Sequence, residues 1–454
     1  ALTSGQSFGR RLNERMTPQY FDQPTPGRGN SERGFEASVN PPDLSHQSGF
    51  YEEPFRLFMR HTDPSVLLRY TLDGSDPTLD SPSGDLSVEI GPGSVPPLDL
   101  AVIATNPSTH RDSLGELTMP ENRRKDFGWL IPTEGPSRAI TLNVRAFSEG
   151  RLPSAVTSRT FFVGEPFDES HRVPIVSLIV DPLDWFDVNH GLYVPGDAYD
   201  PDAWRHQFWG TGNYFLKGRY SERVAKVDVF DTERAHMASG QLGLRIHGGG
   251  SRAQAQKSLR LVARKALGSG SVEFAGLLGE EDRKHRQLTL RNSGQDSVWS
   301  PTLLRDNVIQ TSAPESVISQ SLRPVLVYLN GEYWGIHQLQ EHFNEEDLRD
   351  RFGLKDQAID LIEVNGKPRS GDGEAFFELR ELAESLDSGA VDEILKRIDV
   401  RNFIDHYVTQ IFFANTDWPG NNIAYWRVRQ AIVMDEADES GDGRWRWLTF
   451  GSEA

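Results

Sequence analysis

Asp417 and Asn422 stand five residues apart in NTDWPGNNIAYWR, residues 415–427. In phosphoryl transfer one carboxylate orients or deprotonates the acceptor hydroxyl, a nearby amide oxygen binds Mg2+, and both must sit on one short rigid loop. Asp followed five positions on by Asn is the spacing of a protein-kinase catalytic loop. A plain polar loop with turn residues accounts for the same letters. A second stretch is GLRIHGGGSRAQAQKSLRLV, 243–262. There a strand pattern runs into three glycines and Ser251, and Lys257 stands near the start of the next strand. Glycines let backbone N–H groups approach an anion, and a Lys on the adjoining strand adds a point charge. The alternative is an ordinary hairpin with an exposed Lys. Glu341, past Trp334, is either a buried partner that holds a phosphate-binding Lys in position or a rim carboxylate. In GRWRWLTFGSEA, strand alternation puts Trp445, Trp447, Thr449 and position 451 on one face. A kinase-like site calls for a second metal-binding carboxylate about there, and the chain has Gly451, with Glu453 two positions on.

Other chemistries fit less well. The chain has no cysteine, which removes disulfides, Cys-ligated zinc, Fe–S clusters and thiol nucleophiles. In HQLQEH, His337 and His342 are five apart, where a zinc-protease helix needs four. DESGDG at 438–443 copies the first half of a calcium loop, but the twelfth position is Thr449 instead of Glu. It reads better as the turn between strands at 422–429 and 444–450. No Gly-x-Ser-x-Gly is present, and Ser251, Ser258 and Ser300 have no nearby His and Asp at hydrolase-like spacing. The net charge of −18 offers no broad basic field to phosphates, so nucleic acid is not expected as a partner. No apolar run reaches the roughly 18–20 residues that span a bilayer.

These residues need elements to hold them. With 454 residues, 37% hydrophobic and 10% aromatic, the chain can bury a core in several domains. Residues 1–40 are polar, with PTPGRGN as a turn-rich linker. Residues 41–165 read as all-β. FRLFM, LLRYTL, AITLNVRAF and SAVTSRTFFV are strand patterns, LDGSDPT is an Asp-Gly turn, and 91–137 reads as an inserted loop. From about 170 to 454 the texture is mixed α and β. VPIVSLIVD, AKVDVFD, QLGLRIH, KSLRLVA and RQLTLRN are strands. RPVLVYLNGEYWGIHQLQEH is a hairpin closed by Asn-Gly. Asn344 should cap a helix that ends before Gly353. In RNFIDHYVTQIFFAN, the spacing of Phe403, Ile404, Tyr407, Ile411 and Phe412 predicts one buried helical face. Both ends of the chain read as cut, as in a fragment of a longer protein.

The combination VPIVSLIVDPLDWFD, GLRIHGGGSR with QKSLRL, LTLRNSGQDS, VYLNGEYWGIHQLQEHF, NTDWPGNNIAYWR and GRWRWLTF resembles, in content and order, the CotH family of spore-coat-type atypical protein kinases. That resemblance covers roughly 170–454. It implies a protein-kinase-like α+β fold with a β-rich lobe and then an α-rich lobe. The implied activity is ATP- and Mg2+-dependent phosphorylation of Ser or Thr in a protein substrate. Lys257 would then contact the ATP phosphates, with Glu341 on the nucleotide side, Asp417 as catalytic Asp, Asn422 as metal ligand and Trp445 stacking on adenine, and Lys257 would point towards Asp417 and Asn422 across one cleft with room for a triphosphate. Two departures stand out. Gln256 replaces a Lys that often precedes the motif Lys, and Gly451 replaces a metal-binding Asp, which points to a pseudokinase as the degenerate form. RYTLDGSDPT, VRAFSEGRLPS and SRTFFV resemble the immunoglobulin-like β-sandwich at chitobiase and hexosaminidase C-termini, a spacer or carbohydrate-associated module. SGQSFGR with PTPGRGN resembles the last strands of a lamin-tail-like domain. This order of modules is similar to large exported bacterial proteins. The rival expectation is a non-catalytic cell-surface protein that contacts glycans or partner proteins through the sandwich.

Overall fold

The computed structural model describes residues 7–10, 18–21, 25, 30, 34–83, 87–91, 138–164, 172–200, 203, 211–253, 256–272, 274, 276–278, 284–292, 301–354, 356–364, 366–385, 388–415, 418–432 and 440–450. The expected insertion from 92 onward, Asp417, Asp438, Gly451 and Glu453 lie outside them. The chain is a mixed α/β structure, rich in strands with few helices. It divides into two compact units, Ala1–Phe274 with Val325–His337, and Ala275–Pro324 with Gln338–Ala454.

The first unit opens with an antiparallel pair, β1 (Ser7–Arg10) and β2 (Pro18–Phe21). Two sheets follow. One holds β3 (Asp43–Leu44), β5 (Phe55–Arg60) and β7 (Ser87–Ile90). The other runs in the order β4 (Gly49–Tyr51), β9 (Thr157–Val163), β8 (Ile140–Phe147), β6 (Leu67–Thr71). They share one core, because period-two alternation turns Leu57 and Met59 of β5 inward, where they meet Leu142, Val144 and Phe161. We call this pair of sheets the two-sheet module.

A further sheet in the same unit runs β16 (Leu322–Leu329), β10 (Ile175–Val180), β11 (Arg223–Phe230), β12 (His236–Ile246), β13 (Leu259–Val262). β10 lies parallel to β16 and antiparallel to β11. Every residue of IVSLIV in β10 is buried, as a near-continuous apolar run requires of a central strand. After β10 comes the one-turn helix α1 (Pro182–Phe186), capped by Asp181. β16 turns through Asn330 and Gly331 into β17 (Glu332–Glu341). Both turn residues have positive φ (49° and 82°), the backbone that a two-residue hairpin needs.

In the second unit, β14 (Gln287–Arg291) pairs with the end of β17, placing Leu288 opposite Glu341. A five-stranded sheet follows in the order β15 (Ile318–Ser319), β21 (Arg446–Thr449), β20 (Ile423–Val428), β18 (Ile359–Glu363), β19 (Pro368–Ser370). Its alternation separates two cores. Leu361, Ala424, Trp426 and Leu448 pack with Leu348 and Leu354 on one face. Ile362, Ile423, Trp445 and Trp447 pack with Phe376, Phe403 and Tyr407 on the other. The helices are α2 (Pro301–Ser312), α3 (Glu345–Arg351), α4 (Glu374–Glu384), α5 (Ser388–Arg397) and α6 (Val400–Phe412). Asn344 caps α3 as expected, accepting from the N–H groups of Glu346 and Asp347, and Gly353 follows the helix at φ 62°.

The expected buried face of α6 requires a correction. Ile404, Ile411 and Phe412 are exposed, Phe412 by 79%, and of the five expected residues only Phe403 and Tyr407 pack inward. The fully buried positions are polar: Asn402, His406, Thr409 and Gln410. The reason is hydrogen bonding to neighbouring backbone. Asn402 Nδ2 donates to the carbonyls of Ser316 and Trp447, and its Oδ1 accepts the Trp447 N–H at 2.6 Å. A leucine there would leave these groups unpaired.

Candidate functional site

Lys257 is fully buried, not the exposed loop residue of the alternative reading. β12 ends at Ile246, a single turn covers Gly250–Ala253, and the chain reaches Lys257 two residues before β13. The Lys257 backbone N–H donates to Tyr193 Oη at 3.0 Å, and Trp334 Nε1 donates to the same oxygen at 3.0 Å. The ammonium donates to the Arg252 carbonyl at 2.9 Å and lies 4.1 Å from the Tyr214 ring centre and 5.1 Å from that of Tyr193. Ring faces attract a cation. Burial nevertheless pushes the Lys257 amine well below its ordinary range. An approaching anion would favour its charged form.

Gln256 braces the same place. Its Nε2 donates to the carbonyls of Ile336 (3.0 Å) and Trp334 (3.3 Å) on β17. Gly335 permits this: its φ is +96°, and a Cβ there would lie 2.5 Å from Gln256 Nε2. His337 Nε2 is 3.3 Å from the Lys257 carbonyl, and burial lowers its pKa to about 4. Neutral His337 has one ring N–H, for which the carbonyls of Lys257 and Gly335 are the backbone acceptors. Arg252 is the second cation of the loop. Its guanidinium donates to the carbonyls of Tyr214, Leu216 and Gly248, and burial lowers it to about 10.

Glu341, Asn422 and Trp445 belong to the second unit. Glu341 is buried at the end of β17. Its Oε2 accepts the Ser321 N–H at 2.8 Å and lies 3.6 Å from Arg351 Nη1. Asn422 is half-buried at φ 50°, a left-handed backbone that Asn tolerates, immediately before β20. Asp417 lies outside the described residues, and both sides of it are fastened to α6. Asn415 donates through N–H to the Gln410 carbonyl (3.1 Å) and through Nδ2 to Gln410 Oε1 (2.7 Å). The Trp418 ring meets Tyr407 edge-on at 4.7 Å and His406 at 6.0 Å.

Trp445 is a core residue, 2% exposed. Phe376 meets its ring edge-on at 5.4 Å, and the Arg427 guanidinium lies 5.0 Å from the ring centre. The adenine-stacking role expected of Trp445 therefore meets a ring already covered. Alternation along β21 does place Trp447 and Thr449 on its side of the sheet, where Phe403 and His406 of α6 contact them. His406 Nδ1 is 2.7 Å from Thr449 Oγ1, and burial lowers the ring to about 4. Asp442, of the calcium-like stretch, is held by Arg444 and Arg446 instead.

Among the described residues no three His, Asp or Glu side chains gather as a metal-holding group. Asn422 is the one expected magnesium ligand described, and Gly451 has no side-chain oxygen to give. The described residues alone thus do not make a magnesium site. Sequence reasoning missed Tyr193, Arg252, Trp334, His337 and His406. Tyr193 and Trp334 are single aromatics remote from Lys257 in sequence, so only the fold discloses them.

Residues 244–450 match the family model described as CotH kinase protein. This span contains Lys257, Glu341, Asp417, Asn422 and Trp445. It leaves out the two-sheet module. No curated protein matches the chain. Among the described residues no helix is long and apolar enough to cross a membrane.

Proposed function

We propose that this chain transfers the γ-phosphoryl group of ATP to a Ser or Thr hydroxyl of a protein substrate, in the manner of the CotH kinases. The observation that carries this reading is the family match over 244–450. Within it, Lys257 is a buried amine held by Tyr193, Tyr214 and the Arg252 carbonyl. Lys257 contacts the nucleotide phosphates, and the neighbouring Arg252 adds positive charge. Asp417 orients the acceptor hydroxyl and takes its proton as oxygen bonds to the γ-phosphorus and the bond to ADP breaks. Mg2+, when bound, would offset phosphate charge, with Asn422 as one ligand. An exported bacterial setting, with the two-sheet module as a chitobiase-like accessory, completes the proposal.

Gly451 favours a second reading, a non-catalytic surface protein built on the same scaffold that contacts glycans through the two-sheet module. Calorimetric titration with Mg·ATP and incorporation of labelled phosphate separate the two. The kinase reading expects saturable binding and incorporation, with Asp417→Ala losing incorporation while the melting temperature stays put. A pseudokinase binds without incorporation. A chain that neither binds nor incorporates overturns the kinase reading.

A further inference from the structure

The two-sheet module and the sheet that carries Lys257 share an apolar core and a chain of polar contacts. Phe50 and Phe162 of the module stack at 4.5 Å. Phe162 is 2% exposed and meets Tyr328 of β16 and Phe230 of β11 edge-on, at 5.1 and 5.6 Å. Ala139 and Ile175 close the same cluster. Polar groups at the junction are also satisfied across it. Buried Asp228 of β11 accepts from Ser48 Oγ at 2.9 Å, and Ser48 Oγ accepts the Thr160 N–H at 3.1 Å. Thr160 Oγ1 lies 3.0 Å from Ser177 Oγ of β10. Lys226 of β11 pairs with Asp76 of the module's Asp-Gly turn.

Asn330, at the tip of the β16–β17 hairpin, is the joint. Its Oδ1 accepts the Val180 N–H at 2.8 Å. Its Nδ2 donates to the Val180 carbonyl at 2.9 Å and across to the Asp73 carbonyl of the module at 3.2 Å. The fit is close. A Cβ on Gly74 would lie 2.5 Å from Asn330 Nδ2, and one on Gly331 would lie 2.2 Å from the Ala139 carbonyl oxygen. Beside them the Ala139 N–H donates to the Gly331 carbonyl at 2.9 Å, and Arg138 pairs with Glu332 at 2.7 Å. From this tip β17 runs directly to Trp334, Ile336 and His337, the residues that brace Tyr193, Gln256 and Lys257.

We infer that the two-sheet module is a fixed part of the body that carries Lys257, not a separately folding spacer, and that Asn330 is the positioning residue through which it sets the hairpin. This holds whether or not the chain transfers phosphate. Buried polar groups that lose a partner are costly, so a joint of this kind couples the stability of what it joins. The test is hydrogen exchange by mass spectrometry on the full chain and on Asn330→Ala. In the unaltered chain, peptides over 140–147 and 157–163 should exchange at the same slow rate as those over 175–180 and 223–230, as one opening unit. Asn330→Ala should speed exchange about tenfold in both sets, and also over 256–262, while 359–363 and 423–428 keep their rates. Lys226→Met, which breaks only the pair with Asp76, should move the same peptides in the same direction by less. It also serves if Asn330→Ala does not fold. Module strands that open on their own, with 175–180 and 256–262 unchanged in either variant, would overturn the inference.

Discussion

Lys257 is both the residue on which nucleotide binding would depend and a source of instability. Burial disfavours its charged form, so the folded chain holds this proton less tightly than the unfolded chain does. Between the lowered folded value and the ordinary 10.5, the unfolded state binds more protons, and stability rises with pH. Replacing a buried charge by an apolar side chain of similar length removes that penalty. Lys257→Met should therefore melt above the unaltered chain at pH 7, and the gap should close as pH approaches 10. The same variant should lose Mg·ATP affinity by about tenfold or more, since a hydrogen bond to a charged group contributes roughly 1.5–3 kcal/mol. Melting curves at both pH values, with calorimetric titration, check the two halves. A variant less stable at pH 7 would show that the aromatic rings and the Arg252 carbonyl outweigh desolvation.

α6 shows why an amphipathic pattern can mislead. Its apolar residues do recur at helical spacing, but the side facing the sheet is set by polar groups that complete backbone hydrogen bonds of β21 and the segment before β15. The consequence is measurable by urea unfolding. Asn402→Ala strands the Trp447 N–H and should cost about 2–4 kcal/mol. Ile411→Glu, at a position 69% exposed, should stay within about 0.5 kcal/mol. The reverse order would restore the pattern reading. Elements whose signal is local were legible in the sequence. The Asn-Gly hairpin, the Asn344 cap and the alternation of Trp445, Trp447 and Thr449 all follow from backbone geometry within a few residues. What depends on distant partners was not. Neither the polar face of α6, nor the covered ring of Trp445, nor the bracing of Lys257 by Tyr193 and Trp334 leaves a mark in the local spacing.

Over the whole molecule these buried groups set opposing responses to acid. His337 and His406 are held neutral by burial, each lowered from 6.5 to about 4. Between those values the unfolded state takes up protons that the folded state refuses, so stability is present above pH 6.5 and lost as pH falls. Each ring can withdraw about 3 kcal/mol by this linkage. Asp347, at the start of α3, works the other way. Burial raises it from 3.8 to about 6, so its penalty is present at neutral pH and disappears as pH falls below 6. Acidification from pH 7 to 4.5 thus removes stability at two rings and returns part of it at one carboxyl. Net loss is the expected result, read as a falling urea midpoint. The two signs separate by variant. His406→Gln should shallow the decline, because the ring no longer titrates. Asp347→Asn should steepen it, because the compensating proton uptake is gone. His406 and Asp347 belong to the same unit and His337 to the other, so the acid loss should fall mainly on the unit of His337. Hydrogen exchange at pH 4.5 should show the Lys257 segment opening more readily than the five-stranded sheet. Equal opening of both would mean that His337 is not the group through which acid acts on that unit.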